Sequence, residues 1–475
     1  MSVSEVLPFK MFPLNKDPEN KYSFYASSPI IDFSFQDTAS RVIDRKSLRL
    51  CGRLRVVNRD DNNDPLPANR FDLNCSANAN PQNNEKVAYI SDRVGVSSAI
   101  NSISVSNLKG NLYEQVRDYN RMLSSLKAVS SSSMDYFSVN QNVWGSFANQ
   151  NSMANAISGD IPFCCPMRAG FLLDDSPINL QGGLKISLQL ANDSQFLYGL
   201  NGSDFVYELH DLFLSGKYLV LDQEVRPERG EIMEYHQFFS YRNTLNSSLD
   251  HNNLNLNLSE VVSIYSNFSP STWISSFKYD GFSTPKIMNA GNVETDLNEV
   301  RFNRGATMFP LTYPLRSRNI NANDGFETQR SRHFLDSVAG YANLTHTTIS
   351  PQSEALTNYK SSYDNFQTGA TTIDNYYNTA QGVDRGDVNS WQFDTTGAGN
   401  EWKKEGYVEK SGRVWGIGMR LDQLLNDEDA NYSQQSYNYS IDSDHDGVTP
   451  NSVFVFCLAK SKVFASGDGG VVAAN

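Results

Sequence analysis

Between Leu184 and Leu190 every second residue is apolar: Leu184, Ile186, Leu188 and Leu190. In an extended chain this puts four side chains on one face, which is the signature of a half-buried β-strand. Phe205, Tyr207 and Leu209 repeat the pattern, and Lys217 to Leu221 follows as a short run. Leu254, Leu256 and Leu258 alternate with Asn255 and Asn257, and Ser452 to Val463 is a late strand rich in Val and Phe. Asn, Ser, Gly and Asp fill the stretches between, where they favour turns. Helical spacing is clear in one place. Leu112, Val116, Tyr119, Leu123 and Leu126 recur at three and four residues, so a helix is expected over 111–129, capped by Asn111 with Glu114 three residues on. A weaker helical pattern covers Thr328 to Leu344. Many short strands with few helices predict an all-β chain built from sandwiches.

The 23 Tyr and 27 Phe among 475 residues supply a sizeable core, so a wholly disordered chain is excluded. The formal charge of −13 argues against binding nucleic acid through bulk charge. Five Cys in so long a chain do not form a disulfide scaffold. No apolar stretch approaches the ~20 residues of a membrane span, so no transmembrane segment is expected. Glu5, Lys10 and two prolines within Met1 to Leu14 argue against a signal peptide.

Three long polar stretches interrupt the strands: Asn58 to Glu85, Ser130 to Asp160, and Ser317 to about Lys410. The third is domain-sized and is expected to emerge at an end of a sandwich as an insertion. The chain divides into an N-terminal arm at 1–27, a first β half at 28–222, a charged junction at 223–232 and a second half at 233–475 that carries the 317–410 insertion. Pro8, Pro13 and Pro18 forbid a stable helix in the arm. Its apolar residues Val6, Leu7, Phe9, Met11, Phe12 and Leu14 either pack on its own subunit or dock on a neighbour. No internal repeat aligns between the halves.

Motifs for chemistry are sparse. No phosphate-binding Gly-Lys-Ser/Thr loop, His-Glu-x-x-His, Gly-x-Ser-x-Gly or Cys-x-x-Cys occurs, and Gly416 and Gly418 lack the third glycine of a dinucleotide loop. The six His (His210, His236, His251, His333, His346, His445) are scattered; His210, in a strand, reads as a structural hydrogen-bonder. Adjacent Cys164 and Cys165 read as two thiols on opposite strand faces rather than as a strained vicinal disulfide. Asp442, Asp444 and Asp446 with Gly447 match the first half of a calcium loop, but Val453 stands where the bidentate Glu belongs. An acidic turn explains them equally. Sequons at Asn246, Asn257, Asn267, Asn343 and Asn431 are attributed to the abundance of Asn and Ser. The carboxylate pairs Asp174-Asp175 and Glu428-Asp429 leave open a β-sandwich carbohydrate-binding or glycoside hydrolase protein, since only their separation in space decides a mechanism. No catalytic, cofactor-binding or metal residue is assigned.

Three segments carry a resemblance to a known family. The first joins Ser28–Phe35 to Ser47–Val57. The second joins Ala99–Gly110 to Leu112–Asn120. The third comprises Gly170–Leu173, Gly183–Leu190 and Tyr207–Leu214. Met308–Leu315 and Val453–Leu458 fit more loosely. In order and spacing these segments resemble the double jelly-roll major capsid proteins of small double-stranded DNA viruses, of the virophage and polinton-like type. The resemblance implies two eight-stranded jelly rolls side by side and a homotrimer forming a pseudo-hexameric capsomer. It also implies an icosahedral virion as location, with synthesis in a host cell. Neighbouring capsomers and penton and minor capsid proteins are then the expected partners. No enzymatic activity, cofactor or sequence-specific nucleic-acid binding is expected.

Overall fold

The computed structural model describes residues 3–15, 21–24, 29–36, 40–58, 64–65, 88–89, 95–130, 160–173, 183–199, 205–223, 232–245, 249–254, 260–270, 297–304, 307–309, 333–334, 336–338, 390–394, 401–405, 417–421, 437–443, 451–465 and 471–474. In the first half the strands are β1 (Val3–Met11), β2 (Lys21–Tyr22), β3 (Ile30–Phe35), β4 (Arg41–Asn58), β5 (Asp64–Pro65), β6 (Ala88–Tyr89), β7 (Ile100–Ser106), β8 (Leu112–Val116), β9 (Asp160–Pro166), β10 (Leu184–Leu190), β11 (Tyr198–Gly199) and β12 (Phe205–Leu221). Helices α1 (Tyr119–Ser130), α2 (Gly170–Leu173) and α3 (Asp193–Phe196) lie among them. The second half holds β13 (Ile232–Leu245), β14 (Leu249–Leu254), β15 (Glu260–Pro270), β16 (Leu297–Arg304), β17 (Thr307–Phe309), β18 (Ser390–Asp394), β19 (Glu401–Glu405), β20 (Ile417–Arg420), β21 (Tyr437–Ser443), β22 (Asn451–Ala465) and β23 (Val471–Ala474).

Two sheets form the first half. One runs β1-β12-β4, with β9 and β5 on the far edge of β4; the other runs β3-β10-β7-β8. The second half repeats this arrangement, with sheets β13-β22-β15-β20 and β14-β21-β16-β17. Counting eight principal strands in each half along the chain, both halves pair first-eighth-third-sixth and second-seventh-fourth-fifth. That is the double jelly roll: two tandem antiparallel sandwiches of one topology. The duplication that no alignment of side chains reveals is plain in the strand order.

The alternation at Leu184–Leu190 does what its period predicts. Leu184, Ile186, Leu188 and Leu190 are all buried, facing Phe35, Phe33 and Ile31 across β3 and Val105 and Ile103 across β7. Lys185, Ser187 and Gln189 point the other way. The continuous apolar run of β22 has a different cause. Val453 to Ala459 is buried on both faces. Phe454, Phe456 and Leu458 join the core of the first half, while Val453, Val455 and Cys457 alternate with them towards the opposite face.

One expectation is corrected. The helix expected over 111–129 starts later. Leu112–Val116 is strand β8, and α1 begins at Tyr119. Asn107 is the reason: its side-chain oxygen accepts from the N–H groups of Lys109 and Asn111, and Gly110 takes a φ of 92°, so 107–111 is a hairpin turn that sends the chain back along β7. Asn111 therefore belongs to this turn and is not the cap of α1. The helix is entered through Asp118, at φ 51°, whose carbonyl accepts from Arg121 and Met122.

For the segment expected as an arm at 1–27, both its own subunit and a neighbour are open as docking partners. Val3–Met11 is the edge strand of the first sheet, paired from Val3↔Leu221 to Met11↔Leu214. Phe9 packs against Phe35 and Tyr218 at ring separations of 5.6 and 4.4 Å. Gly216, opposite Phe9, leaves room for that ring, since a Cβ there would lie 2.7 Å from it. This segment packs on its own subunit because Leu7, Phe9 and Met11 alternate inward onto an existing core. The weaker helical pattern at Thr328–Leu344 is helical at 333–334 and 336–338, and the described part of the 317–410 insertion also includes the β18–β19 hairpin.

Candidate functional site

The joint between the two rolls brings together a set of buried polar contacts. Here β8, α1 and α2 of the first half meet β13, β15 and β22 of the second. Tyr113 on β8 stacks on Phe171 of α2, with ring centroids 4.8 Å apart and an interplanar angle of 2°. Tyr235 of β13 stands edge-on to both rings, and its hydroxyl donates to the Tyr113 carbonyl at 3.0 Å. Such aromatic contacts add about 0.5–1.5 kcal/mol each beyond their burial. On the other side of α1, the Tyr265 hydroxyl donates to the Met122 carbonyl at 3.3 Å, and the Arg121 guanidinium lies 3.9 Å over the Phe454 ring. At the rim the Arg117 N–H donates to Ser240 Oγ at 2.8 Å, and Arg242 sits 3.9 Å from Asp118.

Glu114 is the centre of this joint. Its side chain is fully buried. Oε1 accepts from the Gly170 N–H at 3.0 Å and from the Phe238 N–H at 2.6 Å; Oε2 accepts from the Phe171 N–H at 2.8 Å. One carboxyl group thus holds the first turn of α2 and strand β13 of the other roll together. Burial pushes its pKa up to about 7, against the three N–H donors and the Arg45 guanidinium, which pull it down. Arg45 is itself buried, lies 4.7 Å over the Phe171 ring and donates to the Phe171 carbonyl at 2.5 Å. Sequence reasoning read Glu114 as part of a capping box and missed this role. Its donors are backbone groups of residues 170, 171 and 238, so no residue type marks them.

Gly170 sets the closeness of the joint. A Cβ there would lie 2.8 Å from the His236 carbonyl oxygen, 3.0 Å from its carbon and 3.1 Å from Gln237 Cα. All three are backbone atoms and cannot swing aside. Gly170→Ala is expected to destabilise by about 1–3 kcal/mol, the usual cost of overpacking, and to lower Tm in a thermal-shift measurement. An unchanged Tm would mean that α2 and β13 separate freely.

A second arrangement lies on the outward face of the first sheet. Arg53 bridges Asp160 and Asp211, and Arg55 pairs with both oxygens of Asp160 at 2.7 and 2.9 Å. Arg55 holds the Asp160 carboxyl below its ordinary range. Glu208 lies between His210, 2.9 Å away, and Lys21; burial opposes its charge, but these two partners keep its pKa below the usual value. The network crosses β2, β4, β9 and β12 and ties four strands by charge. His210 is thus a hydrogen-bonding partner of Glu208.

Cys164 and Cys165 lie on opposite faces of β9, Cys165 in the core and Cys164 half-buried, both as free thiols. Asp442 is on β21, opposite Leu249 and Glu299; Asp444 and Asp446 lie outside the described residues. Among the described residues no group of three or more His, Cys, Asp and Glu is placed to hold a metal ion. Asn267 is buried in β15. Asn246, Asn257, Asn343 and Asn431, the pairs Asp174-Asp175 and Glu428-Asp429, and His346 and His445 lie outside the described residues. Among the described residues no helix is long and apolar enough to cross a membrane.

No known family model matches the sequence, and no curated protein is similar to it. Solved structures are similar in fold. The capsid of PBCV-1 virus aligns over 100% of this chain and 98% of its own, at 7% identity and a TM-score of 0.50. A chain of the Sputnik virophage aligns over 100% and 89% at 13% identity, with a TM-score of 0.46. The mavirus major capsid protein aligns over 98% and 90% at 10% identity, with a TM-score of 0.47. The described strands of this chain therefore have the fold of the PBCV-1 capsid, the double jelly roll.

Proposed function

We propose that this chain is a major capsid protein, a structural rather than catalytic component of the icosahedral shell of a double-stranded DNA virus. It is made in the host cell and carried in the virion. The observation that carries this reading is the repeat of one strand order in two rolls that share a hydrophobic core. Two similar rolls per chain let three chains present six similar blocks, the pseudo-hexameric outline that tiles a shell. The similarity in fold to the PBCV-1 capsid supports the same reading.

The edge strand supports oligomer formation. β1 ends its sheet; Val6 on it and Phe12 just past it are each 48% exposed, and Leu14 is 62% exposed. A long apolar edge left in solvent invites uncontrolled strand pairing, so a native protein covers it. In this reading a neighbouring subunit does so within the homotrimer. Neighbouring capsomers, penton proteins and minor capsid proteins complete the set of partners. The division at 223–232 separates the rolls, and the 317–410 insertion rises at one end of the second. With a formal charge of −13 the shell does not hold its genome by electrostatics alone, which leaves that contact to a basic protein or a lipid layer.

Size-exclusion chromatography with light scattering tests the proposal. The expected mass is three times the 53.1 kDa chain, with hexagonal outlines in negative stain. A folded, monodisperse monomer at micromolar concentration would overturn the capsid reading and favour a carbohydrate-binding or glycan-cleaving sandwich.

A further inference from the structure

We propose that Cys51 and Cys164 are a redox pair, a thiol-modification site on the first sheet that low-molecular-weight disulfides convert into a disulfide between β4 and β9. The register is the first observation. Cys51 lies directly opposite Cys164 in the antiparallel β4–β9 ladder. Directly opposed residues in such a ladder have Cα atoms about 4.5–5.5 Å apart, within the ~4.4–6.8 Å span of a disulfide. Opposed residues also point to the same face. Bridging the pair requires rotation of two side chains and little movement of backbone.

The surroundings sort the two thiols into different roles. Cys164 is half-buried and reachable from solvent, whereas Cys51 is only 6% exposed. The Cys51 thiol beside it pushes the Cys164 thiol down to about 7, with the Arg49 guanidinium adding to the effect; the neighbouring Cys164 and burial push Cys51 up, and the Cys51 S–H donates to the Arg49 carbonyl at 3.9 Å. Cys164 is therefore the nucleophile and Cys51 the resolving thiol. Cys165 and Cys457 are buried in the core, where a thiol is inert.

The chemistry closes without any further reactant. The Cys164 thiolate attacks one sulfur of the small disulfide and displaces its partner as a thiolate, leaving a mixed disulfide on Cys164. Cys51 then attacks the Cys164 sulfur, gives up its proton, and displaces the second small thiol. Two protein thiols are oxidised and one small disulfide is reduced to two thiols. The product staples the third principal strand of the first roll to the sixth. If the chain is a capsid protein, the staple is open in the reducing cell where the shell is built and closes in the oxidising medium outside. That use rests on the capsid reading; the pair itself does not.

The test uses the full chain with oxidised glutathione as probe, quenching with acid and a maleimide, and mass spectrometry of the digest. The expected product is a Cys51–Cys164 linkage, with the mass lowered by two hydrogens relative to the two reduced peptides. In Cys51→Ser the resolving step is lost and a glutathione adduct stays on Cys164. An unmodified pair, a Cys164–Cys165 linkage, or a linkage to Cys75 would overturn the proposal. Alkylation of the native wild-type chain supplies a measurement independent of any variant: Cys164 should react at least about tenfold faster than Cys165 or Cys457, and equal rates would overturn the assignment of roles. Light scattering on the same sample reports the trimer separately, so failure of the thiol pair and failure of the capsid reading give different results.

Discussion

Glu114→Ala is expected to lower stability by roughly 3–6 kcal/mol at pH 5 and to split one unfolding transition into two. Three backbone N–H groups, of Gly170, Phe171 and Phe238, would be left buried without an acceptor. Each orphaned donor costs about 1–3 kcal/mol, partly recovered by relaxation or an entering water. The split follows from where the donors lie. Phe238 belongs to β13 and the other two to α2, so the same carboxyl holds both rolls.

The pH dependence follows from the direction of the shift. The folded-state pKa, about 7, lies above the ordinary 4.5. The folded chain therefore binds the proton more tightly than the unfolded chain. The stability this provides is fully present below about pH 4.5 and is lost as pH rises through about 7. A shift of this size corresponds to a loss on the order of 3 kcal/mol across that window. Urea titrations at pH 5 and pH 8 measure it. Glu114→Gln cannot titrate and should lose this component of the pH dependence while keeping Oε1 as an acceptor. If wild type and Glu114→Gln show the same pH profile, Glu114 does not titrate between pH 5 and 8. The cost of Glu114→Ala should be smaller at pH 8, because the buried charge has by then returned part of what the hydrogen bonds contribute.

Removal of residues 1–14 is expected to abolish soluble folded protein rather than merely block assembly. The deletion strips the ladder from Val3↔Leu221 to Met11↔Leu214 and withdraws Leu7, Phe9 and Met11 from the core. Partial burial of three such side chains is worth roughly 3–6 kcal/mol in total. It also exposes the edge of β12 from Leu214 to Leu221, and such a bare edge pairs with other chains. Chain continuity adds to this, since the Leu14 N–H donates to the Asp32 carbonyl and Asn15 Nδ2 to the Ile30 carbonyl, fixing the crossing from the first sheet to the second. Circular dichroism and size exclusion of the shortened chain check the outcome. A soluble, folded, trimeric product would mean that β1 docks only after the rest of the roll has formed. Phe9→Ala alone should cost about 2–3 kcal/mol and still fold.

What could be read in the residues was whatever depends on local periodicity. The alternation of Leu184, Ile186, Leu188 and Leu190 made a strand with one face buried before any partner was known, because the period of two is a property of the extended backbone. The spacing of Tyr119, Leu123 and Leu126 made a helix for the same kind of reason. Its start was misread because Asn111 and Glu114 satisfy the pattern of a cap, while Asn107 and Gly110 satisfy that of a turn, and only packing on β7 chose between them. Val453 to Ala459 showed itself as a strand but not that both its faces are covered, since the second cover is the other roll. The first residues offered apolar side chains and prolines but not the partner strand, which lies more than 200 positions away at Leu214–Leu221. The joint itself was invisible for a general reason. Its carboxyl at Glu114 is held by main-chain N–H groups, which every residue except proline has, and their convergence at one point is decided by tertiary structure alone.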